Sequence, residues 1–585
     1  RFGGGQASAS LGSRIATTAG DWSWWINVNR LESDSQPLVY ATRSPSTAAA
    51  APGATPVTGA VLERNRFNQD WLLLGTTNQA HTTQDHAKLK LAWQATPTLR
   101  ASYTLGWWGN EVERQSQTWL RDESGARIAF GPQSYPSGGT LPVSIAGKAY
   151  TLSAADFPQT REQLSHLMQG LSVKSLTRGS WDWEAAASLY DYRRDQVRAW
   201  APVATTTSTD ADSGRLTDQS GTGWNTLALK GIWRPQGEGG AHIAEFGLQR
   251  EAFQLRTRVF ATGEWTAGDA TGAATSRFEG DTRLTSLWAQ DAWRFAPDWS
   301  VVLGLRAEDW RASDGLTATA SADHRHPDRQ QQALSPKLAL GYQVDDALAL
   351  RLSTGRALRF PTVSELYQGA LDASGKLQNG NPELKPERSW TSELSAEWTW
   401  PKALWRATLF FEATRDALYS QTNTTVTPNV TNIQNVDHIR TTGLELAAQG
   451  RDLWVAGLDL SGSLTYTDSV IVANAAFPAS VGQLQPRVPR WRANLLATWR
   501  SSERLSSTLG LRFAAHQFGT LDNTDPNGDR YQGISDFLVA DLRVRYEFTR
   551  QWSAAVGVDN LNNQTYWNFH PYPQRTWLAE LKFDL

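Results

Sequence analysis

WTSELSAEWTW, residues 390–400, decides the fold. Trp390, Leu394, Ala396, Trp398 and Trp400 fall on one face of an extended chain, and Thr391, Glu393, Ser395, Glu397 and Thr399 on the other. A period of two means a strand with a dry and a wet side, because successive side chains of an extended backbone point to opposite faces. The pattern recurs in both directions. Trp299, Val301, Leu303, Leu305 and Ala307 oppose Ser300, Gly304, Arg306 and Glu308, and Trp22, Trp24, Ile26 and Val28 oppose Ser23, Asn27 and Asn29. Leu542, Val544, Tyr546 and Phe548 oppose Asp541, Arg543, Arg545 and Glu547; Trp577, Ala579, Leu581, Phe583 and Leu585 oppose Thr576, Glu580, Lys582 and Asp584. Helical spacing is confined to 153–168, where a short helix inside a loop is expected.

Connection lengths alternate. Tight turns are expected near 17–21, 96–98, 178–180, 235–240, 296–298, 345–346, 401–403, 451–454, 501–504 and 549–551. Long loops are expected near 33–83, 114–167, 200–217, 261–277, 315–329, 358–387, 425–433, 474–487, 521–532 and 562–574. Outer-membrane barrels have this asymmetry, with short periplasmic turns and longer extracellular loops. Tryptophan follows the tight side: Trp293 and Trp299 flank one turn, Trp400 and Trp405 another, and Trp93, Trp181, Trp233, Trp454, Trp499 and Trp552 sit beside six more. A ring of indoles at one rim is the girdle of a lipid–water interface. The bland alternative makes these tryptophans core anchors of a soluble β-protein, although such anchors would not gather at the turns of one side.

Composition agrees. No run of about 20 apolar residues exists, so no transmembrane helix is available. A mean hydropathy of -0.46 would suit a soluble protein, yet a membrane barrel reaches it too, since only alternate residues meet lipid. A net charge of -2 gives no reason for a nucleic-acid partner, and zero cysteines exclude disulfide scaffolds and thiolate chemistry. The 28 tryptophans stand against a single methionine, which suits a protein whose indoles sit half dry and half wet. The expected fold is all-β, a transmembrane antiparallel barrel with about 21 strands in this chain. Parity of a closed barrel then calls for 22, the first strand preceding Arg1.

GRALRFPTVSELY at 355–367, followed by NGNPELKPE at 379–387, resembles a paired motif of TonB-dependent outer-membrane receptors. The matching residues are Arg356, Pro361, Glu365, Leu366, Gly380, Asn381, Pro382, Leu384, Pro386 and Glu387. Two weaker stretches agree. NVDHIRTTGLELAAQG at 435–450 is similar to the family's G-x-E-L strand through Asn435, Val436, Gly443, Glu445 and Leu446, and VDNLNNQTYWN at 558–568 to its penultimate strand through Asp559, Asn560, Leu561, Asn563 and Tyr566. The final Leu585 departs from the family's usual Phe, a weaker signal to the assembly machinery.

The resemblance implies one barrel domain over 1–585, in the outer membrane of a Gram-negative bacterium, whose N-terminal plug and TonB-engaging segment lie outside this sequence. It implies a monomeric importer, not an enzyme, with no cofactor. Its partners would be outer-membrane lipid, its own plug, the TonB complex and a small ligand, with a ferric siderophore as the cargo expected first. Aromatic and hydrogen-bonding groups on the long loops would capture that cargo, and Arg359, Phe360, Tyr367, Asn381, Tyr531, Trp567, His570 and Tyr572 are the candidates. Each is equally suited to packing its own loop. Two rival functions stay open: a passive porin-like channel, and a secreted Trp-rich carbohydrate-binding β-protein.

Other groups read as bland. His324 and His326 imply no third metal ligand, and His81 and His86 are discounted in the same way. DNTDPNGD at 522–529 echoes a calcium loop through Asn523, Asp525, Asn527 and Gly528 but lacks the closing acid, so an Asx/Gly turn is preferred. No metal site and no catalytic residue are expected.

Overall fold

The computed structural model describes residues 2–128, 140–200, 213–371, 377–378, 380–425 and 430–585. Parts of four expected loops (129–139, 201–212, 372–376 and 426–429) lie outside them. Among the described residues one antiparallel sheet holds 25 strands. Four of these are short, at Val39–Arg43, Val61–Arg64, Gly214–Asp218 and Asp323–Arg325, and lie beside longer neighbours. The other twenty-one pair in chain order. They are β1 (Gly4–Thr17), β2 (Gly20–Asp34), β3 (Asp70–Thr96), β4 (Leu99–Thr118), β5 (Thr160–Ser175), β6 (Trp181–Trp200) and β7 (Gly223–Trp233). Then come β8 (His242–Thr262), β9 (Thr271–Ala296), β10 (Trp299–Thr319), β11 (Arg329–Gln343), β12 (Leu348–Arg359), β13 (Glu387–Trp400) and β14 (Ala403–Asn423). The last are β15 (Val430–Gly450), β16 (Leu458–Ala473), β17 (Trp491–Arg500), β18 (Leu505–Ala514), β19 (Phe537–Glu547), β20 (Trp552–Asp559) and β21 (Thr576–Phe583).

All ten expected tight turns lie between strands, and the long connections alternate with them on the opposite side. Two expectations are corrected. The stretch 153–168 holds one 3-10 turn at Ala154–Asp156 and then enters β5, because Leu164, His166 and Met168 serve a wall instead of a helix face. The strands also reach further into the expected loops: β3 has 27 residues and β9 has 26. About 9–11 residues of tilted strand cross the hydrocarbon, so these strands stand well above it on the long-loop side.

The dry face is the exposed one. Leu394 keeps 50% of its surface open and Trp398 49%, and at the tight-turn rim Trp454 reaches 87%. Indoles pair there across strands: Trp22 stacks on Trp93 at 5.4 Å, Trp181 on Trp233 at 5.9 Å, and Trp299 on Tyr342 at 4.3 Å. Core anchors of a soluble sandwich would be enclosed by a second sheet; these face outward, so the core-anchor alternative is set aside. Among the described residues no helix is long and apolar enough to cross a membrane, and the crossing is made by strands.

The enclosed apolar clusters lie among the long connections. Leu74, Leu120, Val143, Leu152 and Phe157 form one; Trp310, Val363, Leu366, Tyr367 and Leu384 form another. The outer edges of β1 and β21 carry no ladder partner among the described residues. Loops bridge across them: the Gln36 side-chain amide donates to the Pro571 carbonyl at 2.6 Å, and Asn527 donates to the Asn65 carbonyl at 3.2 Å.

Candidate functional site

The wet faces line the lumen with a polar wall. Lys230 meets Glu245 at 2.7 Å, and Arg306 donates to Ser286 at 2.8 Å and to Glu308 at 3.1 Å. One cluster in this wall was not read from the sequence. His166 holds Asp195 at 3.0 Å and the Tyr190 hydroxyl at 3.1 Å, and stacks on Tyr192 at 3.9 Å; Trp108 and Trp224 close on it through His166 and Tyr190. The available signal was the face rule: Trp108 shares its face with Thr104 and Asn110, the wet side of β4, and so cannot belong to the rim.

Above the lumen, the long connections place the candidates in two groups. After β12 the chain makes the helix α1 (Val363–Tyr367), capped by Thr362. The Thr362 side chain accepts from the Glu365 amide, and the Glu365 carboxylate accepts from the Thr362 amide at 2.8 Å, a reciprocal capping box. Arg359 closes it by binding the Glu365 carboxylate at 2.5 Å. Burial works to raise the Glu365 carboxyl, but the Arg359 guanidinium and the Thr362 amide outweigh it and hold it below the ordinary carboxylate value. A depressed acid stabilises at neutral pH and loses that contribution as pH falls through its folded pKa. Glu365→Gln should therefore cost about 1 kcal/mol at pH 7 and should flatten the acid limb of the loop's stability, read by hydrogen exchange across 360–368.

Within this group Phe360 stacks on Trp310 at 5.5 Å. Tyr367 is fully enclosed, stacks on His326 at 4.7 Å and receives the Thr317 hydroxyl at its carbonyl, 2.7 Å away. Burial, with His324 beside it, pushes His326 down to about 4, so it stays neutral as a packing partner of Tyr367. Two glycines make the space: a Cβ on Gly280 or Gly315 would come within 2.7 or 2.6 Å of the Tyr367 ring.

The two quoted motifs meet here. Asn435 accepts from the Lys385 amide at 2.9 Å and returns a bond to the Lys385 carbonyl at 3.0 Å. Asn381 donates to the Ile433 carbonyl at 3.0 Å, and Arg329 grips the Pro382 and Leu384 carbonyls. The motif's Pro-rich run is thus fastened to β15. Gly443 is needed because a Cβ would meet both the Phe410 ring and the Tyr466 carbonyl at 2.3 Å. The third stretch is a turn device: Asn560, at φ 52°, donates to the Gln564 carbonyl at 2.8 Å.

The second group joins the last loops to the first. Tyr531 is buried between Trp71 at 5.7 Å and Tyr40 at 5.0 Å, with Trp567 at 6.3 Å. His570 sits 2.8 Å from the Leu38 carbonyl, and Tyr572 stacks on Tyr566 at 4.7 Å while staying 41% exposed. The structure thus brings Tyr531 and Trp567 together, with His570 beside them, and separately Arg359, Phe360, Tyr367 and Asn381. Tyr40 and Trp71 were missed, since 33–83 read as one loop.

Asp525 spends its oxygens on the Gly519 amide at 2.7 Å and the Thr520 hydroxyl at 2.7 Å, a turn's own bonds. His81 is held by Asp34 at 2.9 Å. Among the described residues no group of three metal-binding side chains gathers.

The chain is similar to known proteins in sequence and in fold. The family model "TonB dependent receptor-like, beta-barrel" matches residues 106–561. A curated protein from Acinetobacter baumannii, "Probable TonB-dependent siderophore receptor PiuA", is 22% identical over 300 residues. That alignment takes in 49% of this chain, and the chain spans 38% of the curated relative's length. Among solved structures, the ferric yersiniabactin uptake receptor FyuA of Yersinia pestis superposes with a TM-score of 0.62 at 14% identity, over 99% of this chain and 77% of that one. The copper transporter OprC gives the same TM-score and identity over 100% of this chain and 80% of its own. At such identity the likeness is one of fold, and the two proteins are named for different cargoes.

Proposed function

Because the chain belongs to the TonB-dependent receptor-like β-barrel family, a family of outer-membrane receptors and transporters and not of enzymes, we propose that it imports a metal chelate, a ferric siderophore first, with energy delivered through TonB. The observation that carries the proposal is the family match over most of the barrel, joined to a polar lumen wall that ends beneath aromatic loops. The curated relative named as a siderophore receptor supports the cargo class. Residues 1–585 act in it as one barrel domain.

For capture, the reading assigns contact to the side chains left open, Arg359 and Tyr572, with Trp567 and His570 beside the latter. Phe360, Tyr367, Asn381 and Tyr531 act as the scaffold that shapes the loops. The outward apolar face speaks against the carbohydrate-binding rival, which would have to hide it. The porin rival makes the sharper contrast. In iron-starved cells deleted for their own receptors, the gene encoding this chain should restore uptake of radiolabelled ferric siderophore, and loss of TonB should abolish it. Uptake that persists without TonB, or steady conductance of the intact receptor in planar bilayers, would instead establish a passive channel.

A further inference from the structure

The outward face carries arginine at one height on the long-loop side. Arg311 lies twelve residues above Trp299 on β10, Arg388 twelve before Trp400 on β13, and Arg415 twelve after Ala403 on β14. Arg283 on β9 lies directly opposite Arg311, and Arg440 on β15 lies one outward position nearer the tight turn than Arg415, opposite Ala413. Twelve residues at about 3.3 Å, tilted by about 40°, rise about 30 Å, one hydrocarbon thickness above the tight-turn tryptophans. These arginines therefore stand where the hydrocarbon ends and the outer-leaflet headgroups begin. Their face is the lipid face: Arg388 shares it with Trp390 and Leu394, Arg415 with Phe411 and Leu409.

Their pairing is unusual. Arg283 stands directly opposite Arg311, and Arg388 directly opposite Arg415. Like charges in facing positions destabilise a sheet. Arg311 has Asp309 at 3.0 Å, and Arg388 has Asp416. Arg283, Arg415 and Arg440 have no carboxylate partner among the described residues, whereas Arg256 and Arg258, further out on β8, are both paired, at 2.6 and 2.7 Å. Arg283 and Arg311, together with Arg250, also line a concavity of about 560 Å³. Of its carboxylates, Asp281 is held by Arg256 and Asp191 by Arg193, which leaves Asp328 alone against the arginines.

We propose that this belt binds the phosphate groups of the phosphorylated glycolipid of the outer leaflet, one anion bridging each facing arginine pair. Phosphate supplies the counter-charge the sheet lacks, and guanidinium forks match it by paired, charge-assisted hydrogen bonds. The apolar band directly below receives the acyl chains of the same molecule, which selects a lipid over a free anion. The inference rests on the membrane orientation of the barrel and not on its cargo. Failure of the wild-type chain to bind the lipid, with siderophore uptake intact, would sink this inference alone.

The test uses the purified chain in detergent, incubated with bisphosphorylated lipid A, washed, and analysed for bound lipid by mass spectrometry. Wild type should retain the lipid and melt at a higher temperature with it. The triple variant Arg283→Gln, Arg415→Gln, Arg440→Gln should retain at least about tenfold less and lose the thermal gain. Lysine at the same three positions should recover part of the retention, restoring the charge without the guanidinium fork. Arg451→Gln, Arg504→Gln, Arg550→Gln, an equal loss of charge in the tight turns, should behave as wild type. Heat-modifiable gel mobility checks that each barrel is folded. Equal retention by the first variant, equal retention of dephosphorylated lipid A, or displacement of the lipid by millimolar inorganic phosphate would each overturn the proposal.

Discussion

Leu409→Arg should weaken the barrel in a bilayer by about 2–4 kcal/mol, while Thr408→Arg, one residue earlier, should cost little. Leu409 lies near mid-height of β14, is 55% exposed, and has Leu394 and Leu444 directly opposite on its two neighbouring strands. An arginine there must hold its charge in hydrocarbon with no protein group to meet it. Thr408 points the other way, its hydroxyl 2.9 Å from that of Ser395, and Glu445 faces it from β15. A guanidinium at 408 gains a carboxylate and stays in water. Urea titration of refolding into phosphatidylcholine vesicles, followed by tryptophan fluorescence and heat-modifiable mobility, reads both. Equal penalties, or a larger one at 408, would mean that the dry face is not the lipid face, and the importer reading would fall with it.

The sequence made this face legible because its code is local. Two-residue alternation needs only neighbours along the chain, and a tight turn needs only a few residues between two strands, so strand order and the tryptophan rim could be read by inspection. The facing of Arg388 and Arg415 could not, because register across a hairpin depends on where the strands actually end, and β3 and β9 run deep into what looked like loop. The Tyr40–Trp71–Tyr531 cluster joins residues nearly a whole chain apart, which no periodicity announces. α1 was legible in principle: T-V-S-E at 362–365 is a capping-box signature, overlooked because Pro361 and the family motif gave the stretch another meaning. The lumen cluster around His166 was hidden by a rule applied too widely, that tryptophan in a barrel goes to the rim. Trp108 obeys its strand's face instead.

Tyr367→Ala should abolish cargo binding by unfastening the loop that follows β12, leaving the barrel ladder in place. The ring fills a slot floored by Gly280 and Gly315 and walled by His326, and it packs with Val363, Leu366 and Leu384. Removing a buried aromatic of this size costs about 3–5 kcal/mol where the surroundings cannot collapse, and strand backbone at the two glycines cannot. That penalty exceeds what a five-residue helix with one cap can restore, so α1 and the Arg359–Glu365 pair should come apart together. Hydrogen exchange across 360–371 should rise to loop rates, while the amides of β13 and β14 stay protected. Tyr367→Phe separates scaffold from contact. The hydroxyl has no hydrogen-bond partner among the described residues, so its loss should leave both loop protection and siderophore binding unchanged. If Phe instead abolished binding with protection intact, the hydroxyl would be a ligand contact reached only when the loop opens, and the assignment of Tyr367 to the scaffold would be wrong.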